Sequence, residues 1–228
     1  MFLEASLAEE KKDPFWEEIE TSLPQAALCS TPDGEEIALW EGTLLEESHR
    51  HHSHLGCIWP FDSLPVNPSQ EIWQVVENSV THWISMGMGK WSEWCIPWAN
   101  IIYTRTGLKE APMQLFNMWK EIFVNEGMSV VYLPRMLSMI AHRRHDLAKP
   151  KDEYEVMQLD GTGGFLDAFI QMCAYTKADQ LHLFQGMPDK WEDVEINNLY
   201  LPGKGRLSAS KKGDFNLDAS GMQWSIFR

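Results

Sequence analysis

Four histidines and an arginine (His49, Arg50, His51, His52 and His54) fall within six consecutive positions of the stretch HRHHSHLGCIWPF, residues 49–61. Imidazole is an indifferent helix and strand former, and its nitrogens need partners wherever they are buried. A plain solvent face would use Lys or Glu. The cluster therefore reads as contact with a polar ligand, and two chemistries fit. Closely spaced histidines hold zinc in binuclear metallohydrolases of the HxHxDH type. Here Ser53 stands where the aspartate belongs, and Glu46-Glu47-Ser48 leads in where an apolar strand should. The other chemistry is sugar binding: His and Arg hydrogen-bond hydroxyls, and Trp59 or Trp91 can stack on a ring face. Sugar is the preferred reading, and no metal is assigned. For any single histidine, a loop imidazole bonded to backbone carbonyls competes; for the cluster as a whole, ligand contact is preferred.

Asp160-Gly161-Thr162-Gly163-Gly164 is the second candidate. Asp-Gly is a common turn pair, and an aspartate before a helix is often only a cap. The functional reading is that the glycines let the backbone carry Asp160 close to a substrate. The run matches neither phosphate-binding glycine spacing. Cleaving a glycosidic bond needs a general acid and a basic partner on opposite sides of it. Most of the 33 Asp and Glu residues are solvated surface, and composition does not choose among them.

The net charge of -14 argues against a nucleic-acid partner and against docking to anionic membranes. A sugar or a neutral or cationic small molecule suits it better. Four cysteines without a CxxC pair read as buried free thiols. The 11 tryptophans mostly serve packing. No apolar run reaches membrane-spanning length, and the acidic start MFLEASLAEEKK is unlike a signal peptide. No cofactor is implied.

Helical elements must position these residues. Residues 1–12 read as the tail of a helix, and Asp13 caps another over 15–22. Residues 24–66 form a long, weakly periodic loop carrying the histidines, of the kind that is usually functional. Ile72, Val76, Val80 and Trp83 recur at helical spacing. Ser92 is a cap for a helix bearing Trp94, Trp98, Ile101 and Ile102, bent by Pro97. Further helices carry Leu115 to Phe123, 134–142 and Phe165 to Cys173, with the basic cluster His142–His145 closing the second of these and a charged loop over 146–158. Four short runs, 180–184, 194–201, 206–210 and 223–227, read as strands. A boundary is placed between 1–179 and 180–228.

Four motifs in order resemble glycoside hydrolase family 95, the 1,2-α-L-fucosidase family. HRHHSHLGCIWPF is similar to that family's HRHLSHLYGLYP. KWSEWCIPWANIIYTRTG (90–107) is similar to its GWSxAWxxxxWARLxDG helix, VMQLDGTGG (156–164) to FQIDGNFG, and LHLFQGMPDKW (181–191) to IxLLPALPxxW. The resemblance spans about residues 13–210. It implies a mainly α fold, the C-terminal half of an (α/α)6 barrel over 1–179 followed by a small antiparallel β domain. It also implies inverting hydrolysis of α-L-fucosides or related α-L-galactosides, an oligosaccharide or glycoconjugate substrate, and an exported or cell-surface parent. Asp160 matches the family's catalytic aspartate. Arg50 and His51 match sugar-contacting positions, with His49, His54 and Trp91 as neighbours. His52 replaces a leucine of the family, and Thr162-Gly163 replace Asn-Phe. The family's general acid precedes the histidine stretch, so this chain is expected to be a fragment, a poor hydrolase, and prone to self-association through exposed barrel surface. A non-catalytic carbohydrate-binding or degenerate remnant is the second reading, and a metal-dependent hydrolase the third.

Overall fold

The structure, a computed structural model, describes residues 14–22, 26–132, 156–178, 180–201, 205–212, 215–218 and 225–227. The expected helix tail over 1–12, the cap Asp13, the helix over 134–142, the basic cluster His142–His145 and most of the charged loop lie outside the described residues. Among those described, five helices and eight strands occur.

Helix α1 (Pro14–Ser22) precedes a two-residue hairpin of β1 (Leu28–Thr31) and β2 (Gly34–Ile37). The Thr31 hydroxyl closes its turn by accepting from the Asp33 amide at 3.2 Å and donating to the Gly34 carbonyl at 2.8 Å. Gly34 takes φ +122°, a conformation closed to most side chains. Helix α2 (Gln70–Ser85) starts at Ser69, whose hydroxyl accepts from the Ile72 amide. Its buried Val76, Val80 and Trp83 recur on one face. That face meets the hairpin: the Ile37 amide donates to Ser79 Oγ at 2.8 Å, Asn78 donates to the Asp33 and Glu35 carbonyls, and His82 pairs with Glu36.

Helix α3 (Cys95–Arg105) is buried at ten consecutive positions, 95 to 104, so it is enclosed on every side. It packs against α4 (Ala111–Phe123) and α5 (Leu159–Cys173). Strands β3 (Ala174–Lys177) and β4 (Gln180–Leu183) form an antiparallel hairpin directly after α5, and β8 (Ser225–Phe227) joins β4 in parallel. β5 (Glu195–Leu201), β6 (Gly205–Ser210) and β7 (Phe215–Asp218) form a separate antiparallel sheet.

The expected (α/α)6 barrel, or half of one, is not what these residues form. In such a barrel each helix pairs with an antiparallel helical neighbour. Here α2 pairs with the β1–β2 hairpin, which takes the place of a partner helix. Two apolar cores flank α3 and α4. One gathers α2, α3, α4 and Leu45, Leu55 and Ile58; the other gathers Ile101, Phe116 and α5 with strands β3 to β6. The β elements are thus built into the core, and the β3–β4 hairpin straddles the boundary drawn at 179. The sheet containing β4 is mixed rather than purely antiparallel. Among the described residues no helix is long and apolar enough to cross a membrane.

Candidate functional site: a carboxyl pair at the head of helix α3

Everything that holds the site converges on the N-terminal end of α3. Cys95 accepts the Ser92 amide on its sulfur, and its thiol donates to the Arg50 carbonyl at 2.7 Å. The Cys95 carbonyl accepts from His52 Nε2 at 3.1 Å, and His52 Nδ1 accepts from the Trp83 indole at 3.1 Å. Both imidazole nitrogens are therefore satisfied, and the ring is fixed as the Nε2–H tautomer. His52 is wholly buried, edge-on to Trp83, Trp91 and Trp98, and burial pushes it down to about 3. The most enclosed histidine of the cluster is a structural pin between the loop and α3.

The neighbouring residues separate by direction. Arg50 is half-buried and donates to the Tyr132 hydroxyl at 3.2 Å. His51 is exposed. Exposed His49 folds onto its own turn, its Nδ1 accepting from the His51 amide at 3.1 Å. His54 lies in a single 3-10 turn over Ser53–Leu55. Its Nδ1 is buried with no hydrogen-bond partner among the described residues, and burial lowers it to about 4. Trp91, expected beside a sugar, is 2% exposed and stacked on Trp83 at 5.5 Å, so it offers no face to a ligand. Trp59 packs edge-on against Trp98. Among the described residues no three His, Cys, Asp or Glu side chains gather as a metal site would require.

Asp160 is exposed in the first turn of α5. That helix begins at Leu159, six residues before the expected start, so the glycines are helical rather than loop-forming. Their purpose is close packing. A Cβ at Gly161 would lie 2.9 Å from Glu93 Cγ and from Val130 Cγ1; one at Gly164 would lie 3.1 Å from the Trp94 ring and 3.2 Å from Pro97. The i, i+3 spacing puts both glycines on one face, which lets α5 press onto the start of α3.

Glu93 is the residue that sequence reasoning passed over. It is 1% exposed, its backbone carbonyl accepts from the Trp119 indole at 2.9 Å, and its Oε2 has no partner among the described residues. Burial first, and the charge of Asp160 beside it, push its carboxyl up to about 7. A signal for it existed: an acid between Trp91 and Trp94 at the head of an apolar helix has nowhere dry and charged to go.

A short bridge ties these parts together. The Tyr132 amide donates to the Val156 carbonyl and the Gln158 amide to the Val130 carbonyl, at 3.0 and 2.9 Å. The strand-like segment bearing Tyr132, which holds Arg50, is thus registered against the segment that enters α5 at Asp160. Arg50, Tyr132, Glu93 and Asp160 share one end of the molecule, with His51 and His49 at its edge. A buried carboxyl that keeps its proton near neutrality beneath an exposed carboxylate is an acid–base arrangement. No protein-family model matches the chain, and no curated protein matches it significantly.

Proposed function

We propose that the protein is glycoside hydrolase-like and acts on α-L-fucosides or related α-L-galactosides at the head of α3. The observation that carries this reading is the Glu93–Asp160 pair, with one carboxyl raised to about 7 by burial and the other open to solvent. Burial lets Glu93 keep its proton up to about pH 7. Asp160 is the member a sugar or an attacking water can reach. Glu93 is a positioning residue: its protonated carboxyl places no second negative charge beside Asp160. Arg50 and His51 supply donors for ring hydroxyls. The four ordered motifs shared with the fucosidase family support the choice of sugar.

A second reading, carbohydrate binding without turnover, is favoured by the 1% exposure of Glu93, because a proton donor that substrate cannot touch does not protonate a leaving group. One pair of measurements separates them. Methyl α-L-fucoside is titrated into isotopically labelled protein, and release of aryl aglycone from an aryl α-L-fucoside is followed in parallel. Both readings predict shifts at Arg50, His51 and Asp160. Only the first predicts turnover, slow as befits the expected poor hydrolase and lowered by a further factor of about 10²–10⁴ in Asp160→Asn at unchanged melting temperature. No shift at these residues up to saturating sugar contradicts both.

A further inference from the structure

At the opposite end of α3, about 18 Å from Glu93 along the helix axis, lies a cavity that the carbohydrate reading does not use. Its volume is about 330 Å³, in the range of small-molecule sites. Its lining includes the apolar side chains of Ile58, Leu64, Trp73 and Val76 and the cationic ones of Arg105 and Lys177. Arg105 is held rigidly. Its guanidinium donates to Asp62 at 3.0 Å and to Gln171 at 2.9 and 3.2 Å, and it lies 3.8 Å from the Tyr175 ring centroid. Asp62 is the single carboxylate among the described lining residues, and Arg105 already engages it. Lys177, half-buried, makes no hydrogen bond or ion pair with a described residue. Desolvation lowers its ammonium, with Asp62 the largest opposing influence. Thr104 adds a buried hydroxyl to the lining, 1% exposed and without a hydrogen-bond partner among the described residues.

Two cations thus line a half-dry cavity whose described lining holds one carboxylate, with Asp167 acting on Arg105 from beyond it, in a chain whose overall charge is -14. An ammonium that no described carboxylate pairs with is complementary to an anion. The apolar part of the lining is complementary to a hydrocarbon body. We infer that this cavity binds a small organic carboxylate with an apolar body, its carboxylate on Lys177 and the free edge of Arg105 and its body against Trp73 and Val76. Phosphate alone lacks the apolar part and is a weaker occupant. The inference stands independently of the sugar site.

Calorimetry and nuclear magnetic resonance titration with benzoate, benzamide and inorganic phosphate test it on the full chain. Benzoate is expected to bind and to shift Trp73 and Lys177. Benzamide, its neutral isostere, is expected to bind about tenfold or more weakly, the loss of one charge-assisted contact. Lys177→Gln is expected to keep the fold, since the lysine has no partner to lose, and to weaken benzoate about tenfold while leaving benzamide unchanged. Equal binding of benzoate and benzamide, unaltered benzoate binding in Lys177→Gln, tighter binding of phosphate than of benzoate, or no binding of benzoate at all would each overturn it. The comparison of benzoate with benzamide on the parent chain holds whatever the variant does.

Discussion

A buried carboxyl with one oxygen left unpartnered is a liability unless it keeps its proton, and Glu93 is such a group among the described residues. Its folded value near 7 lies above its unfolded 4.5, so the folded chain binds this proton more tightly. The contribution to stability is therefore full below pH 4.5 and is lost as pH climbs through about 7. Glu93→Gln keeps the shape and removes the titration. Urea or thermal melts at pH 5 should show parent and variant nearly equal, whereas at pH 8 the variant should be more stable by up to roughly 3 kcal/mol. Equal stability at both values would mean that Glu93 is solvated. At this scale the sequence was half legible. The histidine cluster announced itself by composition, but its members divide. His52 faces the tryptophans and serves the core, while Arg50 and His51 face outward. Which imidazole turns inward depends on Trp83 and the Cys95 carbonyl, 31 and 43 residues away, and no local pattern encodes that.

Helix α5 decides how close its first turn comes to α3, and its glycines carry different weights. Gly161→Ala drives a methyl into Glu93 and Val130 at 2.9 Å and should cost about 1–3 kcal/mol, as overpacking does. Gly163→Ala meets nothing within 4 Å and should stabilise the helix by roughly 0.5–1 kcal/mol. Chemical denaturation of the two variants is the check; a neutral Gly161→Ala would mean that the two helices are not in close contact there. Helices marked by periodic apolar residues, such as α2 and α4, were legible because burial on one face writes its period into the sequence. The start of α5 was not, since five residues rich in glycine read as a turn until the partner surface that needs them is in place. The β1–β2 hairpin escaped for a related reason. Its strands are four residues each, too short for alternation to register, and they are held by side chains of α2.

For the whole molecule, the histidines set an acid limit. His52, His54 and His182 are pushed down to about 3, 4 and 4, chiefly by burial. Their folded values lie below the ordinary 6.5, so the unfolded chain takes up their protons first. Their stability contribution is complete above about pH 6.5 and is lost as pH falls toward 4, by about 1.4 kcal/mol per pH unit for each proton of difference. Stability should thus peak between about pH 6 and 7. Melting temperatures across pH 4–8 are the check, and His52→Asn should flatten the acid limb even where it lowers the maximum. The fold class was the least legible feature. The ordered motifs point to a helical barrel, yet α2, α4 and α5 pack around a single enclosed helix, with three small sheets beside them. That difference lies in long-range partners, above all a hairpin, within the stretch read as a long loop, in the place that a barrel gives to a partner helix.

The central claim is that Glu93 and Asp160 act as one coupled pair in a sugar site, and carbon-13 titration of the Glu93 carboxyl tests it most directly. The titration is run on the parent chain, on Asp160→Asn, and on the parent with methyl α-L-fucoside. The account predicts a midpoint of about 7 in the parent, a lower midpoint when the Asp160 charge is removed, and a shift in the midpoint when the sugar is present. A midpoint near 4.5 that responds to neither Asp160→Asn nor the sugar would contradict it.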